Sequence, residues 1–182
     1  MQTIDLSIFN FIHALVGRIL LVDWLSVFFA SYVPYLLIIW AVILLIMEKN
    51  WKRKYYFSAY AILSLILSRG IITEIIRHIY FRTRPFVVFQ FTPLIGQSPL
   101  EASFPSGHAT AFFALVLPVF YLGRKSGWWF LAVTTIMAVS RIYVGVHWPL
   151  DIIGGAAIGL ISSLLIKFLL PKTPNKNDGP TV

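Results

Sequence analysis

Residues able to do chemistry on an anion recur at three places in this 182-residue chain. In "SRIYVGVHWPLD", residues 140–151, Pro149 suits the first position of a helix, where its missing N–H costs nothing. Asp151 then falls in the first turn and can reach back, capping-box fashion, toward His147. A carboxylate held against one imidazole nitrogen fixes the tautomer and makes the other nitrogen more nucleophilic. In "FPSGHAT", residues 104–110, Ser106 is a natural N-cap, Gly107 leaves the first-turn amides open, and His108 projects from that turn. Unpaired amides and the helix dipole both favour negative charge there. In "RHIYFRTRPF", residues 77–86, Arg77 and Arg84 stand two helical turns apart if the helix persists, although Pro85 biases the chain away from helix at Arg84. Guanidinium groups form forked hydrogen bonds to phosphate oxygens and stay charged at any relevant pH.

Taken singly, each cluster has an ordinary structural explanation. The arginines could be a basic flank attracting anionic headgroups. Ser106 and His108 could be a capped helix with an interfacial histidine. An acidic residue complementing the helix dipole explains Asp151, but neither Arg141 nor His147. Together the clusters are more specific, because all three fall at the same ends of apolar segments.

Those segments set the fold class. The chain is 58% hydrophobic and only 12% charged, so lipid is the solvent for most of it. The absence of cysteine excludes disulfides and thiolate metal sites. The net charge of +8 lies mostly between apolar runs and forms no stripe, which fits membrane topology and argues against a nucleic-acid partner. No cleavable signal peptide is expected at the amino terminus. A crossing helix needs about 20 apolar residues. Runs 26–47, 55–76, 128–144 and 152–170 approach or exceed that length, and 106–122 is slightly short. Residues 3–16 read as an amphipathic interfacial helix ended by Gly17 and leading into a first span bent at Pro34. The expectation is an all-α polytopic transmembrane bundle of five or six spans. Residues 1–170 form one membrane-embedded domain, and 171–182 a disordered cytoplasmic tail. The basic loops around 49–54 and 124–125 mark the cytoplasmic side. Arg77, Arg82, Arg84 and Arg141 on the opposite side break that bias and imply another role. Within the apolar run, Arg69 and Glu74 are expected to pair with neighbouring spans or snorkel.

At this level of detail the sequence resembles the type 2 phosphatidic acid phosphatase family. Pro105-Ser106-Gly107-His108 is intact, as is Ser140-Arg141 with His147 and Asp151; Arg84-Pro85 is present, and Arg77 replaces the family's lysine. The resemblance implies a lipid phosphatase of the bacterial plasma membrane that uses no metal or other cofactor. It assigns His147 as nucleophile forming a phosphohistidine, Asp151 as its orienter, and His108 as acid and then base. Arg77, Arg84, Arg141, Ser106 and the Gly107 amide would hold the phosphoryl oxygens. Within the family the chain looks most similar to undecaprenyl-diphosphatases acting at the outer leaflet. Phosphatidylglycerophosphate, phosphatidic acid and the 1-phosphate of lipid A are alternative substrates. A vanadate-dependent haloperoxidase or a non-catalytic lipid-phosphate binder is the reading from another class.

Overall fold

In a computed structural model, residues 2–171 are described; the expected tail beyond Pro171 lies outside them. The described residues contain helices and connecting segments and no strand. Helix α1 spans Gln2–His13, α2 Leu20–Ser31 and α3 Val33–Met47. Helix α4, Trp51–Leu65, runs through a π-helical stretch, Ile66–Ile72, into α5, Thr73–Ile79. A short α6, Pro85–Val88, precedes α7, Gly107–Leu122; α8 is Arg124–Tyr143 and α9 Pro149–Leu169.

Local chemistry explains the breaks. Gly17 takes a left-handed φ of 76° between α1 and α2, and its N–H donates to the Asp23 carboxylate. The expected bend near Pro34 is present: α2 and α3 meet at 50°, with Pro34 in the first turn of α3. Asn50 caps α4 by accepting from Arg53 N–H. Gly145, at φ 85°, ends the turn after α8, and Pro149 opens α9.

Helix α7 is the centre of the bundle, packed against α9, α8 and α4. It approaches α9 closely because Gly155 and Gly159 lie four apart on α9 and face its backbone. A Cβ on Gly159 would stand 2.4 Å from Thr110 O, and one on Gly155 2.7 Å from Ser106 O. Small residues at this spacing allow helix backbones into contact inside a membrane. Phe112, Phe113, Val116, Val119, Phe130 and Met137 fill the core beside that seam. The perimeter is apolar, with Leu20, Trp24, Ile39, Ile62, Ile161 and Phe168 exposed, as expected of surface covered by lipid.

By length and composition α4 through α5 and α9 each suffice to cross a membrane, and the bent α2–α3 pair makes a third if the two helices form one span. Helix α7 is apolar but has only 16 residues, and α8, with 20, carries Arg124, Lys125 and Arg141 near its ends. Arg53 Nη2 donates to Tyr121 O at 3.0 Å, joining the start of α4 to the end of α7. The basic loops therefore lie together at the end of the bundle opposite the amino terminus of α7.

Candidate active site

The amino terminus of α7, the end of α8, the start of α9 and the segment 80–84 meet around a cavity of about 270 Å³. Arg77, Arg84, Gly107, His108, Arg141 and His147 line it. Most of the expected site residues thus come together from distant parts of the chain. Asp151 lies one layer back, fully buried behind His147. Ser106 also lies behind the wall: its Oγ accepts from Ala109 N–H in the helix cap, and its own N–H donates to Asp151 O at 3.0 Å. The bond to Asp151 O joins the start of α7 to α9, while Ala109 N–H and the Thr110 hydroxyl hold Ser106 within the helix start.

The helix after Arg77 does not persist to Arg84. It ends at Ile79, and Arg84 is extended, as a residue before proline prefers. Arg84 is 2% exposed and donates to Val146 O at 3.0 Å and Glu101 O at 3.2 Å, with Nη1 3.4 Å from His147 Nε2. Arg141 Nη1 donates to Ala30 O at 3.1 Å, and Arg77 Nη2 to Pro105 O at 3.0 Å. The buried Arg77 Nε and Arg141 Nε have no protein partner. Buried donors without acceptors suit a site completed by an anion.

Asp151 Oδ2 accepts from Trp148 N–H at 2.8 Å, a capping bond one residue beyond the His147 that the sequence pointed to, and also from the Ser103 hydroxyl. His147 Nδ1 lies 3.5 Å from the same oxygen, too far to count as hydrogen-bonded, and Nε2 lies 3.4 Å from Arg84 Nη1. Burial pushes the His147 imidazole down to about 4; Asp151 opposes that shift, and Arg141 and Arg84 add to it. The ring is therefore neutral at neutral pH, the state a nitrogen nucleophile requires.

Some site residues were not evident in the sequence. Arg69 lines the cavity and pairs with Glu74 of its own helix, where pairing with neighbouring spans or snorkelling was expected. The π-helical stretch explains this, since its i→i+5 spacing carries Arg69 over Glu74 and toward α7. Glycine leaves room for that guanidinium: a Cβ on Gly107 would lie 2.8 Å from Arg69 Nε, so the arginine would have to shift. Gln97 and Glu101 of the long loop also line the cavity, and Gln97 Nε2 donates to Glu101 Oε2 at 2.8 Å. An arginine amid apolar residues was the available signal for Arg69; Gln97 and Glu101 offered none.

A helix amino terminus, clustered guanidiniums and two imidazoles in an all-helical membrane protein define a lipid phosphatase. The comparisons with known proteins agree. Residues 57–173 match the PAP2 superfamily, and the chain belongs to that family. It is 32% identical over 161 residues to undecaprenyl-diphosphatase BcrC of Bacillus subtilis, covering 87% of this chain and 80% of that protein. It is 27% identical over 169 residues to the bacitracin transport permease protein BcrC of Bacillus licheniformis, covering 93% and 82%. Among solved structures, Aquifex aeolicus LpxE superposes with a TM-score of 0.73 at 25% identity, covering 90% of this chain and 94% of that one.

Proposed function

We propose that this phosphatase removes the terminal phosphate of undecaprenyl diphosphate at the outer leaflet, through a phosphohistidine on His147 Nε2. The observation that carries the reading is that His147 and His108 line one cavity with Arg77, Arg84 and Arg141. His147 Nε2 attacks phosphorus while Asp151 holds Nδ1–H. His108 protonates the departing lipid phosphate oxygen, then takes a proton from the water that cleaves the N–P bond. The guanidiniums and the amides at Gly107 neutralise the equatorial oxygens, which is the main demand of phosphoryl transfer. Five spans, namely the α2–α3 pair, α4–α5, α7, α8 and α9, set the site opposite the basic loops. With those loops in the cytoplasm, the site opens outward.

The name of the Bacillus subtilis relative supports the diphosphate, and so does Arg69. Arg77, Arg84 and Arg141 would hold the phosphoryl group under attack, and Arg69, which lines the same cavity, would be available to the second phosphate. Phosphate release should be measured in detergent with EDTA on undecaprenyl diphosphate, phosphatidylglycerophosphate and phosphatidic acid. Preference for the diphosphate is expected. Arg69→Ala should lower kcat/KM for it by about tenfold, the worth of one charge-assisted hydrogen bond, and affect the monophosphates less. Equal losses on all three lipids would count against a second-phosphate subsite, and no turnover of the diphosphate would sink the assignment.

The pH dependence follows from His147. Its folded value of about 4 lies below the ordinary 6.5, so the unfolded chain takes up the proton first as pH falls. The contribution of this group to stability is complete above pH 6.5 and is lost as pH falls through 6.5 toward 4. In kcat/KM, which reports the free enzyme, the nucleophile's acid limb should fall near pH 4 instead of near 6.5. A limb at 6.5 that remains once the substrate's own phosphate ionisation is accounted for would count against this buried imidazole as the attacking group.

A further inference from the structure

The carboxylate behind His147 is itself held from behind. Asp151 Oδ1 accepts from Arg82 Nη1 at 2.6 Å, and the Nη2 end of the same guanidinium is paired with Asp5 of α1. Asp5 is 1% exposed, and its Oδ1 accepts from Leu150 N–H at 2.9 Å, so α1 is bonded directly to the first turn of α9. The Arg82 guanidinium lies 5.3 Å over the Trp148 ring, whose Nε1 donates to Thr83 O at 2.9 Å. Asp5 stands well outside residues 57–173, the part of the chain matched to the family.

We infer that Asp5 and Arg82 are positioning residues for His147: helix α1 and the segment 80–84 fix the Asp151 carboxylate so that Nδ1 of the imidazole faces it and Nε2 faces the cavity. The inference rests on His147 being the attacking residue. A carboxylate has about four lone-pair directions. Ser103 and Trp148 N–H donate to Oδ2 and Arg82 to Oδ1, so three donors anchor the group with Oδ2 3.5 Å from His147 Nδ1. Charge matters as much as geometry. Arg82 alone would cancel Asp151, whereas Asp5, Arg82 and Asp151 together are two carboxylates against one guanidinium, so this group keeps one negative charge on the Nδ1 side of the ring, opposite in sign to Arg84 on the Nε2 side. That charge stabilises the imidazole as it becomes cationic on attack. The other charged or titratable groups facing His147 are Arg84 of the 80–84 segment, Arg141 of α8 and, across the cavity, His108 of α7, Arg77 of α5, Arg69 of the π-helical stretch and Glu101 of the loop. Neither Asp5 nor Arg82 lines that cavity.

The test compares Asp5→Asn, Arg82→Gln and the double variant with the parent protein on undecaprenyl diphosphate, following kcat, KM, the acid limb of kcat/KM and acid-labile phosphate on the protein. Each single variant should lose about tenfold to a hundredfold in kcat, the cost of a slightly misplaced reacting group, with KM unchanged. The double variant should lose no more than the worse single one, because both residues act through one contact chain. Arg82→Gln removes a cation from beside Asp151 and should raise the acid limb by about half a pH unit to one unit. Asp5→Glu and Arg82→Lys should recover part of kcat. Parent-like kcat in both single variants, or a loss of kcat that tracks melting temperature with the limb unmoved, overturns the inference. Should Arg82→Gln fail to fold, Asp5→Asn decides through its kcat and KM alone. A parent protein that never acquires histidine phosphate defeats the nucleophile assignment itself, which is a separate result.

Discussion

His147→Ala is expected to lower phosphate release by at least about 10³-fold, since on the proposed mechanism it removes the nucleophile and leaves no second group at its position. His147 Nε2 is the imidazole nitrogen within 3.4 Å of Arg84. His108 stands on a different element, stacked on Phe112 of α7. His108 therefore cannot take over attack without α7 moving, and α7 is fixed to α9 through Ser106 N–H and Asp151 O. His147→Gln keeps much of the volume and serves as a check on folding, because His147 is only 2% exposed. Both variants should elute and melt like the parent in detergent, and neither should acquire acid-labile phosphate. Turnover surviving in a folded His147→Ala protein would favour a lipid-phosphate binder or transporter with adventitious hydrolysis.

Gly159→Ala is expected to have the largest effect on the fold of any single-methyl change in α9. The added Cβ would meet Thr110 O at 2.4 Å and Ala114 N at 2.8 Å. Both are backbone atoms in the middle of α7, and no rotamer change relieves the overlap. Overpacking of this kind costs about 1–3 kcal/mol. The helices must separate, and the junction between Ser106 and Asp151 lies on the same seam. Activity should therefore fall by about tenfold or more, even in the fraction that remains folded, because the His108 and His147 elements shift relative to one another. Gly96→Ala is the control: nothing lies within 4 Å of its added Cβ, so melting temperature and activity should stay at parent values. Equal melting temperatures for the Gly159 and Gly96 variants would show that α7 and α9 do not pack as closely as described.

The class of protein, and most residues lining the candidate site, were legible in the sequence alone. Apolar composition and run length imply a helical membrane protein, because unpaired backbone groups cannot persist in lipid. Pro149 with Asp151, and Ser106 with Gly107, are helix-start chemistry that works through neighbours within a few residues, so it is legible from sequence. Arg84 before Pro85 is legible for the same reason: proline forces the extended backbone that the structure has there.

Contacts across long separations were decided only by the tertiary structure. Arg82 and Arg84 are two apart on an extended segment and so share a side; one reaches the carboxylate of Asp151, the other the imidazole of His147. Sequence marks both as outer-face arginines and cannot divide their roles, since the division depends on where residues 147–151 dock. Asp5 reads as the polar face of an amphipathic helix, yet it is buried against Arg82, 77 positions away. Arg69 turns toward the site because the helix widens to π geometry, a distortion that propensity does not encode and packing imposes. Local sequence specifies which groups can bond near their own backbone. Which distant charges satisfy one another is set by the burial of all of them at once, where each unpaired one would carry a large desolvation cost.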